Sequence, residues 1–265
     1  MFPHPHEKKY ARLSWCDFAW PEIKEAAQQK ALVILPLGSV EQHGPMIPVG
    51  CDLFLASHWP LEAARRAREK YNLRVLVLPP LPYGIAMHHR DFPGTVSLEP
   101  DLYMKSIAVI LRDVIRAGFK RIVLVSGHGG NYLPAKVALK DLGSRLHDEG
   151  VRDVKLYFAD SGNCFTDAQT VYAKLKQGQF NFHADAVETS FYQLMRPDLV
   201  RPEGMVKPTL KRQGMPLNEN WRTTDITESG ASGNPTVANP EYAKEDLDYF
   251  CDALADFLKR VNEDD

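Results

Sequence analysis

Residues 35–52 read LPLGSVEQHGPMIPVGCD and join the end of an apolar run to a loop rich in glycine and proline. The apolar run, residues 31–36, predicts a buried strand. The loop after it carries Glu41, His43 and Asp52. Two carboxylates and an imidazole are ligands that proteins offer to divalent metal ions. Each of them alone is typical of a solvated surface loop, but the three together indicate a metal site.

The composition excludes several classes of protein. The chain has 265 residues, of which 44% are hydrophobic and 25% charged, and this suits one soluble α/β domain. A formal net charge of −2 gives no reason to expect binding to nucleic acid or to an anionic membrane surface. The longest apolar runs are about six residues, far short of the roughly 20 that span a bilayer. We therefore expect no nucleic-acid partner and no membrane partner.

The four cysteines are Cys16, Cys51, Cys164 and Cys251, and no pair has the spacing of a metal or redox motif. The N-terminal residues lack the apolar core of a secretory signal. These two features predict reduced thiols in a cytoplasmic protein. Cys51 directly precedes Asp52, but we interpret it as a small buried apolar filler.

Strands and helices are predicted to alternate along the chain. Apolar runs predict buried strands at residues 31–36, 74–79, 121–126 and 154–159. Periodic apolar positions predict helices at residues 14–30, 52–70, 100–118, 134–147, 182–195 and 240–261. This alternation predicts an α/β fold, a parallel β-sheet flanked by helices on both faces, in a single domain. Outside these elements, we expect an N-terminal arm at 1–12 and an irregular lid or oligomer contact at 197–238.

Several candidate ligands follow the predicted strand ends. In open parallel sheets, ligands bind beyond the carboxyl ends of the strands, so separate loops deliver side chains to one edge. The side chains placed there are Glu41, His43, Asp52, Asp160 and His128, the last within GHGGN at 127–131. No lysine followed by serine or threonine comes after these glycines, so a phosphate-binding loop is not expected. The chain has neither an HExxH motif nor a GxSxG elbow.

His183 and Glu188 are five residues apart and do not share a face of a continuous helix. Both reach one cavity if His183 precedes the helix and Glu188 lies in its first turns. The alternative is that Glu188 is a charge favoured by the dipole at the helix start. With Glu188 included, more metal ligands are available than one open catalytic site requires, and they are the five residues Glu41, His43, Asp52, His128 and Glu188. A carboxylate that bridges two divalent ions accounts for the surplus, and His183 is then free to shuttle a proton.

Four motifs together resemble the creatininase (creatinine amidohydrolase) family: GSVEQHGP at 38–45 with Asp52, FPGT at 92–95, GHGGN at 127–131 and HADAVETS at 183–190. The resemblance implies two zinc or manganese ions, with iron as an alternative, in a homohexameric hydrolase of amide-like carbon–nitrogen bonds other than peptide bonds. Carried over, Glu41, Asp52 and His128 would hold one ion. His43 and Asp52 would hold the other, with Asp52 bridging, and His183 matches the catalytic histidine.

The chain departs from the creatinine-hydrolysing members at two places. Those members carry a glutamate ligand of the second metal where this chain has Gly130, and Glu188 is our candidate replacement. They also place tryptophans around the substrate, whereas here residues 177–182 read QGQFNF and no tryptophan lies between Trp59 and Trp221. An aromatic clamp for creatinine is therefore not expected. The residues that we expect to line the substrate are Tyr83, His89, Gly129, Gly130 and Asn131.

The sequence therefore predicts a metal-dependent amidohydrolase that cleaves a small cyclic amide or a formamide through a metal-activated water. His183 and Glu188 are its predicted catalytic residues, and the substrate need not be creatinine. One alternative is a non-catalytic metal- or ligand-binding α/β protein on the same scaffold. Another is a peptide-cleaving maturase-type member of the family. A metallophosphatase is a weaker alternative, because the glycine spacing matches it poorly.

Overall fold

Four parallel strands form the centre of the molecule in a computed structural model that describes residues 8–160, 162–165, 183–212 and 214–264. The strands are β1 (Leu32–Leu37), β2 (Val75–Val77), β3 (Arg121–Ser126) and β4 (Lys155–Ala159), in the order β2-β1-β3-β4. The register pairs Val33 with both Leu76 and Ile122, so the two longest strands run side by side at the centre. The predicted parallel sheet is confirmed.

Helices cover both faces of the sheet, as predicted. They are α1 (Trp20–Gln28), α2 (Cys51–Tyr71), α3 (Pro100–Arg116), α4 (Tyr132–Asp148), α5 (Ala186–Met195) and α6 (Pro240–Glu263). Val33 and Leu35 of β1 join a core with α1, α3 and α4, whereas Leu32 and Ile34 join a core with α2 and α6. Successive strand residues point to opposite faces, so each strand contributes to both cores. Within the described part of the chain, no helix is both long and apolar enough to cross a bilayer.

A third apolar cluster joins α5 to the loop that follows β1. Its members come from the first turns of α2, from α5, from the loop before α2, from the position just before the α5 cap, from the irregular segment and from α6: Cys51, Phe54, Leu55, Val187, Phe191, Tyr192, Met46, Ile47, Ala184, Ala231 and Ala243. Burying these side chains together fixes α5 beside the start of α2. The polar residues at both helix starts are therefore held close to each other.

Several predicted elements are shorter in the structure, and for two of them proline explains the boundary. The helix expected over residues 14–30 is divided into a 3₁₀ turn, Trp15–Asp17, and α1, which begins only at Trp20. Pro21 explains the boundary, because proline lacks an N–H and fits only the first turn of a helix. The strand expected over residues 74–79 ends at Val77, ahead of the prolines at 79 and 80.

The described part of the expected N-terminal arm is packed against the domain. Tyr10 is fully buried, and its hydroxyl donates a hydrogen bond of 3.1 Å to Glu62 of α2. Residues 1–7 of the arm lie outside the described residues, and so does the segment 177–182.

Asn131 holds together the segments that carry the candidate site. Its side chain is fully buried, and its oxygen accepts a hydrogen bond from the backbone N–H of Ile85 at 3.0 Å. Its nitrogen donates to the Gly38 carbonyl at 3.0 Å and to Ser126 Oγ at 3.2 Å. One amide therefore joins the chain after β1, the chain after β2 and the end of β3.

The packing around this amide requires glycine at position 84. A Cβ there would overlap Asn131 Oδ1 and lie 2.8 Å from the Gly38 carbonyl oxygen. Overpacking of this kind typically costs about 1–3 kcal/mol, so we expect Gly84→Ala to lower the free energy of unfolding by about that amount. Denaturant titration measures the change.

Gly143→Ala is the matched control, because the added Cβ in α4 would meet no described atom within 4 Å beyond its own stretch of helix. Alanine suits a helix interior better than glycine, so the control should be unchanged or more stable by up to about 1 kcal/mol. Equal unfolding midpoints for the two variants would show that the packing argument is wrong.

Candidate metal centre

The candidate ligands meet at the carboxyl edge of the sheet, as the strand order predicts. Glu41 and His43 lie in the loop after β1, and Asp52 lies in the first turn of α2. His128 follows β3, and Glu188 lies in the first turn of α5. The side chains of the first four are at most 6% exposed. Elements far apart in the sequence therefore bring these groups into one buried cluster.

The first group of ligands is Glu41, Asp52 and His128. His128 Nε2 donates a hydrogen bond of 2.9 Å to the Ile85 carbonyl, which leaves a lone pair on Nδ1. Nδ1 lies 3.1 Å from Glu41 Oε2 and 3.1 Å from Asp52 Oδ2. A lone pair that faces two carboxylate oxygens is repulsive unless a cation lies between them. The backbone has therefore selected the tautomer that a metal ligand needs.

The second group contains His43, Asp52 and Glu188, with Cys51 beside them. His43 Nδ1 donates to the Glu41 carbonyl at 3.1 Å, so its lone pair is on Nε2. Nε2 lies 3.3 Å from Asp52 Oδ1 and 3.5 Å from Glu188 Oε1. Asp52 thus presents one oxygen to each group of ligands. This is the arrangement of a carboxylate that bridges two ions.

Buried atoms without hydrogen-bond partners mark the same place. Glu41 Oε1, His43 Nε2 and Asp52 Oδ2 are all buried, and none has a hydrogen-bond partner within the described part of the chain. An unsatisfied buried polar group costs about 1–3 kcal/mol, and more when it is charged. Three such atoms in one cluster are explained if a cation binds them, so the residues present fit divalent metal.

The electrostatics agree with a site that attracts cations. Burial lowers the pKa of His128, but Glu41 and Asp52 outweigh it and hold that pKa well above its ordinary value. Burial also acts to lower the pKa of His43, but Cys51 and Asp52 outweigh it and hold that pKa well above the ordinary value. Burial would raise the pKa of Glu41, but His128 outweighs it, so the carboxyl remains ionised. Protons and metal ions therefore compete for the same two imidazoles.

His183 lies just before α5 and points into the cluster. Its Nε2 donates to the Gln42 carbonyl at 2.6 Å, and its Nδ1 lies 3.7 Å from Glu41 Oε1. Burial, together with His89 and His43, holds the pKa of His183 well below its usual range. Ala184 has a φ of 52°, a left-handed conformation that alanine rarely adopts, and it turns the chain between His183 and α5. The imidazole is therefore neutral at neutral pH and has a free lone pair.

Glu188 serves both the helix start and the cluster. Its Oε2 accepts the backbone N–H of Asp185 at 3.4 Å, and Asp185 Oδ1 accepts the N–H groups of Val187 and Glu188. Its Oε1 faces His43 Nε2. Glu188 therefore lies at a helix start, which was the alternative interpretation of its charge. The same capping box also aims Glu188 at His43.

His89 is buried behind Glu41 and is held by groups that the sequence did not single out. Its Nδ1 lies 2.9 Å from Gln42 Nε2 and 2.7 Å from Thr223 Oγ1. Gln42 Nε2 also donates to the Gly230 carbonyl at 3.0 Å, which fixes the orientation of the amide. His89 Nε2 lies 3.4 Å from Glu41 Oε1. Gln42 lies next to two predicted ligands, and that position was the signal which could have identified it.

Gly130 has no room for a side chain. A Cβ at this position would overlap the Ile85 carbonyl oxygen and His128 Nε2. The space that a larger residue would enter is therefore occupied by the two atoms whose hydrogen bond orients His128. In this backbone, position 130 cannot supply a second-metal ligand.

The other expected substrate-lining residues differ in their surroundings. Gly129 is exposed, and beyond its chain neighbours no atom of the described residues lies within 4 Å of the position that a Cβ would take. Asn131 is buried and its amide is used by the fold, whereas Tyr83 is 42% exposed. Asp160, which also follows a strand, forms an ion pair with Lys136. Its second oxygen accepts a backbone N–H at 2.8 Å, so it is engaged away from the metal groups.

Residues 221–233 cover the cluster from the outside. The Trp221 ring lies 4.8 Å from the His88 ring, and the Ser232 N–H donates to the His183 carbonyl at 3.0 Å. This stretch comes from the irregular segment predicted at 197–238. Nothing in its sequence pattern could have identified these contacts, because they join residues more than 40 positions apart in the chain.

Comparisons with known proteins agree with this geometry. A mycofactocin precursor peptide peptidase from Mycolicibacterium smegmatis is 28% identical over 238 residues, which cover 88% of this chain and 86% of the peptidase. A creatinine amidohydrolase from Pseudomonas putida is 28% identical over 194 residues, covering 69% of this chain and 72% of the enzyme.

Solved structures share the fold. A creatininase mutant in a zinc–zinc form has a TM-score of 0.80 and 23% identity, and covers 94% of this chain and 97% of its own. A manganese form has a TM-score of 0.79 and 22% identity, with 94% and 98% covered. The family model described as creatininase, or creatinine amidohydrolase, matches residues 17–258. Because this match spans most of the chain, the chain belongs to the creatininase family and is a hydrolase.

Proposed function

We propose that the chain is a two-metal amidohydrolase that cleaves the carbon–nitrogen bond of a small cyclic amide or a formamide. The observation that supports this most strongly is the shared carboxylate, since Asp52 presents one oxygen to His128 and the other to His43. Bound divalent ions, zinc or manganese with iron as an alternative, would polarise the amide carbonyl and lower the pKa of water. Glu41, Asp52 and His128 would hold one ion, and His43, Asp52 and Glu188 the other.

His183 moves the proton in this proposal. Its neutral imidazole, held by the Gln42 carbonyl, has a lone pair on Nδ1 that faces Glu41. Nδ1 accepts a proton from the attacking water and returns it to the leaving nitrogen as the carbon–nitrogen bond breaks.

The covering segment supports a small substrate. Residues 221–233 lie over the cluster and hold His183 and His89 from outside, so we propose that 197–238 acts as a lid. A peptide substrate is the second candidate, because one relative of 28% identity is a precursor peptide peptidase. Exposed Gly129 leaves open space beside the cluster through which a chain end could enter. We also propose a cytoplasmic homohexamer. The compartment rests on the four scattered cysteines, and the hexamer rests on the family resemblance.

The first test is metal content together with turnover. We expect protein purified without chelator to carry divalent metal and, once reloaded, to hydrolyse members of a panel of formamides and cyclic amides. His128→Ala should lose at least one ion per chain and the turnover with it, because two carboxylates remain without their imidazole. His147→Ala, an exposed histidine in α4, is the matched control and should retain both. An unchanged metal-to-protein ratio in His128→Ala, or release of phosphate from a generic ester in place of amide cleavage, would contradict the proposal.

The second test is the proton release that accompanies metal binding. Cys51 and Asp52 raise the pKa of His43, and Glu41 and Asp52 raise that of His128. Both imidazoles therefore bind protons at pH values above about 6.5, the ordinary histidine pKa. Metal must displace those protons, so affinity should fall as the pH falls through this raised range. Titration calorimetry in two buffers of different ionisation enthalpy counts the protons. Binding near neutral pH without proton release would contradict the electrostatic argument.

The third test separates His183 from Glu188. His183→Ala should keep its fold and metals while kcat falls about 10²–10⁴-fold, the usual cost of losing a positioned acid or base. Glu188→Gln should weaken binding of the second ion, since it removes the negative charge that faces His43. If His183→Ala loses metal while Glu188→Gln keeps it, the two roles are reversed. Full activity in both variants would remove both residues from the mechanism.

A further inference from the structure

Cys51 is a fourth potential donor in the second group of ligands. One ligand atom from each of His43, Cys51, Asp52 and Glu188 lies within 4.8 Å of all the others. Cys51 is fully buried and is the first residue of α2, directly before Asp52. Among the described residues, no other cysteine belongs to such a group. The position of this sulfur beside two carboxylates and an imidazole requires an explanation.

The imidazole in this group is an independent sign of a bound ligand. His43 Nε2 is fully buried and has no hydrogen-bond partner among the residues that the structure describes, and it is aimed into the same group of atoms. The contact with Glu41 holds the opposite ring nitrogen, so the ring cannot turn away without losing that bond. A cation at this point would satisfy Nε2, and it would have Cys51 Sγ within reach.

Position 130 provides no donor for the second ion. Gly130 has no side chain, and a Cβ there would overlap the Ile85 carbonyl oxygen. Among the described residues of this group, His43, Asp52 and Glu188 are the oxygen and nitrogen donors, and Asp52 is shared with the first ion. A donor from the start of α2 would complete the set from a different side.

We propose that the Cys51 thiolate is a ligand of the second metal ion and makes that position selective for zinc over manganese. The inference rests on the proposed two-metal site and specifies the chemistry of one half of it. The sulfur gives its proton to solvent as it coordinates the ion, because a metal-bound thiol is deprotonated. Thiolate ligands favour zinc, whereas carboxylates and imidazole accept manganese as well. The two positions therefore differ, with oxygen and nitrogen ligands at the first and an added sulfur at the second.

The competing explanation is that Cys51 only fills space. It contacts the apolar cluster around Phe54 and Tyr192, and a small thiol packs well there. Under that explanation its replacement changes stability and leaves the relative affinities for different metals unchanged. Metal selectivity and the spectrum of a bound metal therefore distinguish a ligand from a filler.

Cobalt(II) spectroscopy provides the direct test. We expect the wild-type protein loaded with two cobalt ions per chain to show a sulfur-to-cobalt charge-transfer band in the near ultraviolet. Cys51→Ser and Cys51→Ala should lose the band, and circular dichroism checks that they remain folded. Cys251→Ser is the matched control, because Cys251 is equally buried but lies against α2 at the Trp59 carbonyl, and it should keep the band.

Chelator competition provides the second readout. Cys51→Ser should bind the second zinc ion at least about tenfold more weakly, since even the loss of an outer-shell partner costs about 10–100-fold in metal affinity. Its manganese affinity should change much less. A wild-type protein with two cobalt ions and no sulfur band, or equal loss of zinc and manganese affinity in Cys51→Ser, overturns this inference alone. Binding of fewer than two ions per chain overturns the two-metal proposal and this inference with it.

Discussion

The site depends on one buried carboxylate, Asp52, which lies between two imidazoles whose lone pairs face it. In a desolvated cluster this arrangement is unfavourable unless positive charge is present, either as protons on the histidines or as metal ions. The position of Asp52 in the first turn of α2 contributes as well, because the positive end of the helix dipole favours a negative side chain there. The ligands around it come from separate loops, and the negative charge of Asp52 is the feature that both groups of ligands share.

Backbone carbonyls control the chemistry of the cluster. The carbonyls of Glu41, Gln42 and Ile85 each accept one ring N–H, from His43, His183 and His128 respectively. Each bond decides which ring nitrogen keeps its lone pair, and therefore which nitrogen of that imidazole can bind a cation. Because these carbonyls lie in loops tied together by Asn131, the stability of the loops and the function of the histidines depend on the same hydrogen bonds.

In the second ligand group, the donors come from two helix starts and not from position 130. Position 130 is closed by the hydrogen bond between His128 and Ile85, so a side chain could enter only if that bond were displaced. Glu188 and Cys51 instead approach from two helix starts, α5 and α2, which the third apolar cluster holds together. The capping box of α5 fixes Glu188 through bonds that also define the helix, so its orientation costs little additional conformational entropy.

The sequence by itself determined the α/β alternation, the parallel sheet and the side chains that follow each strand, because apolar runs, helix periods and the geometry of parallel sheets are local or follow from topology. It also placed Glu41, His43, Asp52 and His128 at one edge. Only the tertiary structure decided the rest: the tautomers, the burial of His89 under Thr223, the engagement of Asp160 by Lys136 and the approach of Cys51 to the second group. Those features are contacts between residues distant in sequence, and no pattern within a local segment encodes a distance between two segments.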